Sequence, residues 1–111
     1  MPKQLRPLLL LDGKLPKQGP DELLVEQIQQ LEPFGAANPE PLFALPTPQE
    51  EFHLLKEHHV KWILSRSTEV IGWNFAEQLQ RVKPHQLAVT VGFNEFRGQR
   101  KIQMLLKEIQ A

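Results

Sequence analysis

At 111 residues the chain is the size of one domain with a short appended segment, and its 13 Lys or Arg balance its 13 Asp or Glu to a formal net charge of zero. It contains no cysteine, which excludes disulfides, thiolate metal sites and cysteine nucleophiles and fits a reducing compartment. No stretch approaches the roughly 20 apolar residues of a membrane helix, so the expectation is a soluble, cytoplasmic protein with no membrane partner.

Along the chain, the apolar run 7–11 reads as a short strand ended by the turn dipeptide Asp12-Gly13, with a polar loop over 14–19. Pro20-Asp21-Glu22 has helix-start chemistry: a proline preset for the first turn, then acids near the positive end of the dipole. Leu24, Ile28 and Leu31 fall at i, i+4 and i+7, which predicts a helix over 20–31 with one apolar stripe, stopped by Pro33. Five of the ten prolines lie from Pro33 to Pro48, a density incompatible with regular helix or a central strand. The same segment holds Phe34, Leu42, Phe43 and Leu45, which a flexible linker would not need. It is read as an ordered strap.

Beyond Pro48 the pattern changes to short strands, over 52–56, 59–64 and 69–73, rich in β-branched and aromatic residues and separated by polar breaks. In the second, Val60, Trp62 and Leu64 alternate with His59, Lys61 and Ile63, so one face is apolar and the other mostly basic. A short helix follows over 75–82, with Leu79 and Val82 inward, and then an alternating strand over 87–93. Residues 94–98 make a turn, and 99–109 form the last strand, with Ile102, Met104 and Leu106 on one side. Three strands, a short helix and two strands are what a five-stranded oligonucleotide/oligosaccharide-binding (OB) barrel requires, with the helix between strands 3 and 4. A small antiparallel sheet with one helix fits the same pattern. The expected division is 1–32 (strand and connecting helix of a preceding domain), 33–48 (strap) and 49–111 (mainly-β barrel).

The neutral total hides an asymmetry. Residues 21–51 hold seven acids and no Lys or Arg, whereas 52–111 hold nine Lys or Arg, five Glu and all four His. Only the second half suits a polyanion, although scattered solvated charge accounts for the numbers as well.

The strap reads Leu31-Glu32-Pro33-Phe34-Gly35-Ala36-Ala37-Asn38-Pro39-Glu40-Pro41-Leu42-Phe43. This resembles the Leu-x-Pro-Phe-Gly-x-x-Asn-Pro-x-Pro-x-Phe signature of RecJ-type single-stranded-DNA exonucleases, at the entrance to their OB domain. His59-Val60-Lys61-Trp62, Ile71-Gly72-Trp73-Asn74 and Asn94-Glu95-Phe96-Arg97-Gly98-Gln99 resemble further segments of that domain in the same order, with Trp73 where phenylalanine is expected. The family is similar to the Asp-His-His phosphoesterases, which hold manganese or magnesium between two domains and digest single-stranded DNA from its 5′ end. The resemblance implies a DNA-binding, non-catalytic module of such an enzyme, working in DNA repair and recombination. Its partners would be single-stranded DNA, the catalytic domains of the same polypeptide and other repair proteins.

Catalysis with two ions about 4 Å apart needs clustered Asp and His. His58-His59 follow Glu57, not Asp, and in a strand they point to opposite faces; no metal site is expected from His53, His58, His59 and His85, and no cofactor in this chain. For the DNA itself, the candidate phosphate contacts are Lys56, Lys61, Arg66, Arg97, Arg100 and Lys101, with His59 either a further contact or a plain surface histidine. Trp62, Phe93 and Trp73 are assigned to the core by their phase. Phe96, in the turn, is the candidate base-stacking ring. Pro33, Phe34, Gly35, Asn38, Pro39 and Pro41 are assigned to interdomain architecture, with Gly35 permitting a sharp turn. The alternative is a structural or partner-docking OB module with little DNA affinity.

Overall fold

The computed structural model describes residues 13–110, which form seven strands and two helices in the order β1 (Gly13–Lys14), α1 (Glu22–Gln29), β2 (Phe43–Pro46), β3 (His53–Leu55), β4 (His59–Ser65), β5 (Thr68–Gly72), α2 (Ala76–Arg81), β6 (Gln86–Phe96) and β7 (Gln99–Gln110). The strand expected over 7–11 lies outside the described residues. All seven strands join one sheet in the order β1-β2-β6-β7-β5-β4-β3. The long β6–β7 hairpin is its centre; α2 carries the chain from β5 to β6, and β7 returns between those two strands, antiparallel to β6 and parallel to β5.

The mainly-β class with a helix after the third barrel strand is as expected, but a five-stranded closed ladder is not what forms. The strand expected over 52–56 forms as the shorter β3, and a further strand, β2, lies ahead of it in the strap, towards the opposite edge of the sheet. β2 pairs with β6 and β3 pairs with β4. Pro46 and Pro48 cannot donate to a ladder, so the chain leaves the sheet after β2 and rejoins it at β3. The connection 47–52 thus spans the gap that a continuous first strand would have closed. Phe43 and Leu45 of β2 nevertheless share one core cluster with Val60 and Trp62 of β4. A flat sheet cannot bring those strands together, so it curls around the cluster.

The same pairing corrects the reading of the strap. Its last residues are a strand with neighbours on both sides, because Phe43, Ala44 and Leu45 keep their N–H groups and Pro46 is only the final residue. Gly13, expected in a turn, instead pairs with Phe43.

Helix α1 starts where Asp21 accepts a hydrogen bond from the Leu24 N–H (2.9 Å), a side-chain cap on an otherwise unpaired donor. It stops two residues short of the expected end, so Leu31 falls outside it and is half exposed. Val25 and Ile28 form the buried stripe, with Leu24 partly buried beside them. At the other helix, Ala76 and Leu79 enter the core, whereas Val82, expected inward, lies beyond the last turn and is exposed. Leu15, Val25, Ile28, Phe43 and Leu45 pack in the same cluster as Met104, Leu106 and Trp62, so the segments before and after residue 49 share one hydrophobic core. Trp62 is 2% exposed, as its phase required, with Phe52 edge-on at 5.6 Å.

The strap proper is held by its own polar groups. Gly35 and Asn38 exchange two backbone hydrogen bonds (2.8 and 3.1 Å), and the Asn38 side-chain amide donates to the carbonyls of Leu31 (2.7 Å) and Pro33 (3.0 Å). Phe34 lies half-buried against the core. The expected role of Gly35 does not hold, because its backbone is not left-handed and a side chain there would meet no atom within 4 Å.

Candidate nucleic-acid interface

Strand alternation sends Val60, Trp62, Val70, Ile102 and Met104 inward, and therefore Lys61, Glu69, Lys101 and Gln103 to the outer face. Glu69 is 6% exposed there. A carboxylate this buried needs partners, and it has two: Lys61 Nζ at 3.5 Å and the donating Gln103 amide at 2.8 Å. Beside them the β6–β7 hairpin rises. Arg97 and Gly98 both have positive φ (53° and 77°), the two-residue turn whose twist suits a β-hairpin. The expected turn over 94–98 is thus only two residues long, and Phe96 is the last residue of β6, paired with Gln99.

The result is a concavity of about 270 Å³ lined by Lys61, Glu69, Asn94, Phe96, Gln99 and Lys101. Three of the sequence candidates, Lys61, Phe96 and Lys101, meet in it. Phe96 is 67% exposed, with the Arg97 guanidinium over its ring at 5.1 Å. The Ile102 N–H donates to the Ser67 carbonyl (2.7 Å), which brings the β4–β5 turn and its Arg66 to the start of β7. Lys56 is at the far end of β4, left-handed (φ 54°) in the β3–β4 turn.

Arg100 is placed differently. It shares the inward phase of Ile102, so its guanidinium lies over the Phe93 ring (4.0 Å) and pairs with Glu26 (3.4 Å) and Glu22 (3.7 Å) of α1. This also leaves Phe93 half-buried under a cation where full core burial was expected. His59 is engaged as well: its Nδ1 accepts the Asn74 N–H at 2.9 Å. Trp73, expected in the core, is 53% exposed just past the end of β5, edge-to-face with His59 at 5.0 Å. Among the described residues no group of three or more His, Asp or Glu is placed to hold a metal ion.

Sequence reasoning missed Glu69, Gln103, Asn94 and Gln99 because polar residues at outward positions look alike until a register brings them together. Lys61 and Glu69 do share the outward phase, which was the one available signal.

The family model described as the RecJ OB domain matches residues 11–108. No curated protein matches the chain.

Proposed function

The chain belongs to the RecJ OB domain family, and on that premise we propose that it is the single-stranded-DNA-binding module of a RecJ-type 5′-to-3′ exonuclease. The observation that carries this reading is the concavity on the outer face, where two lysines, an exposed ring and two amide side chains converge. Single-strand binding without sequence preference needs cations for phosphates and flat side chains for bases, and OB domains present them on the face of strands 2 and 3 and on the hairpin joining strands 4 and 5. Lys61 on β4 and Phe96, Arg97 and Lys101 at the β6–β7 hairpin occupy those places.

We place hydrolysis, with its manganese or magnesium ions, in catalytic domains of the same polypeptide, and the work of the whole in DNA repair and recombination in the cytoplasm. No helix among the described residues is long and apolar enough to cross a membrane. The strap is assigned to the junction with those domains, since Asn38 gives it a fixed shape while its surface stays exposed.

The test is an anisotropy titration of a labelled oligothymidylate at low salt. Binding is expected at about 100 μM or tighter, since sequence-independent contacts give about 1–100 μM at physiological salt and tighten as salt falls, and it should be weakened roughly tenfold or more by Lys101→Glu with the circular dichroism unchanged. A flat titration for the wild-type chain at low salt overturns the proposal. The neutral net charge, together with an apolar groove between β3 and α2 lined by Phe52, Leu54, Leu79 and Val82, favours a second reading, a brace or protein-docking module. Resonances that move with a partner protein and not with DNA would select it.

A further inference from the structure

We infer that Trp73 is a second base-stacking platform, at the end of the outer face remote from Phe96, so that one single strand runs across the sheet between two aromatic contacts. This rests on the DNA-binding reading above and extends it to a position that sequence phase assigned to the core.

The placement of Trp73 follows from its neighbours. Gly72 closes β5 on the inward side, where an added side chain would meet Leu106 at 2.9 Å and Val60 at 3.0 Å. The next residue must therefore face outward. Asn74 is left-handed (φ 66°) and turns the chain off the sheet, its N–H fixed on His59 Nδ1. The His59 ring meets the indole at 74° and 5.0 Å, an edge-to-face arrangement that sets the indole's orientation and leaves more than half of Trp73 exposed. A large ring held in one orientation loses little entropy when a base stacks on it.

The surroundings select a nucleic acid as the occupant. Trp73 is on the face that carries Lys61 and Lys101. Along β7, which runs parallel to β5 with Ile71 opposite Leu105, it comes level with exposed Lys107, while Phe96 is level with Gln99. The eight residue steps from Gln99 to Lys107 correspond to about 26 Å of strand. A single strand of on the order of four to eight nucleotides covers that length, within the usual footprint of one OB domain. Phosphates would follow Lys101 and Lys107 between the two rings, passing over Lys61 and its partner Glu69.

The chain has two tryptophans, Trp62 buried and Trp73 exposed, so a change in intrinsic emission on binding that is lost in Trp73→Phe belongs to Trp73. The experiment titrates the whole chain with fluorescein-labelled dT12 for anisotropy and with unlabelled dT12 for tryptophan emission. Emission is expected to be quenched in step with binding. Trp73→Phe should bind within about twofold of wild type and lose the emission change, and Trp73→Ala should bind about 5- to 100-fold more weakly, the range a lost base stack gives. If anisotropy reports binding while wild-type emission stays constant and Trp73→Ala binds like wild type, the inference is overturned and the DNA-binding reading stands. If wild-type anisotropy does not change, the DNA-binding reading fails and takes this inference with it.

Discussion

Gly35 and Gly72 look alike in the sequence, each beside an aromatic residue in a segment that resembles a known family, and the structure separates them completely. At Gly72 a side chain would press on Leu106 and Val60, both packed in the core. At Gly35 it would enter open space with no unfavourable φ. Gly72→Ala is therefore expected to destabilise the chain by about 1–3 kcal/mol, the usual cost of overpacking. Gly35→Ala should stay within about 0.5 kcal/mol of wild type, as for surface changes away from special backbone. Urea unfolding of the two variants checks both, and equal effects would contradict the packing described here. No rule of turn chemistry could have made the distinction, because it depends on what lies across the sheet from each glycine. The histidine and tryptophan of the outer face carry the same lesson. Phase placed Trp73 with Ile71 correctly, but Ile71 is itself on the outer face, where it is buried, and the indole beyond it is not.

At the scale of elements, what was legible was what local chemistry decides. Pro20-Asp21-Glu22 announced the start of α1, and Asp21 caps it. Alternation announced β4, β6 and β7, and β-branched and aromatic content announced β5, which is buried along its whole length. Elements defined by distant partners were not legible. Strand β1 is two residues whose pairing is with Phe43 and Ala44, and β2 hides among prolines of which only Pro46, its last residue, enters the ladder. The strap shows a third case, in which composition signalled order but not its cause. That cause is the Asn38 amide, bonded to two carbonyls across a turn closed by Gly35. Both bonds are solvent-exposed, so Asn38→Ala should cost only about 1–2 kcal/mol for the pair. Backbone amide exchange should rise from residue 31 to 38 and remain unchanged in β6 and β7. Exchange that rises throughout the sheet would show that the strap braces the whole fold, not itself alone.

For the whole molecule, the zero net charge conceals how its cations are disposed. Arg100, one of the six candidate phosphate contacts, is bound to Glu22 and Glu26, so the acidic segment around α1 neutralises part of the basic half. Lys61 is paired with Glu69, which is too buried to be reached by counterions. This leaves Lys101 in the concavity, Arg97 and Arg66 in the turns beside it, and the more distant Lys56 and Lys107 to meet phosphates at full strength. Each phosphate neutralised on a single strand contributes about −0.7 to the slope of log K against log salt. Three or four contacts predict a slope of about −2 to −3, shallow for a nucleic-acid-binding protein. Glu69→Gln tests that account directly. The amide keeps a polar partner for Gln103 and removes the charge that occupies Lys61, so the released ammonium becomes one more phosphate contact. The slope is expected to steepen by about 0.7, with tighter binding at low salt. A slope unchanged by Glu69→Gln, in a variant that still folds, would mean that the strand does not pass over Lys61, and its path would then have to be drawn along the hairpin alone.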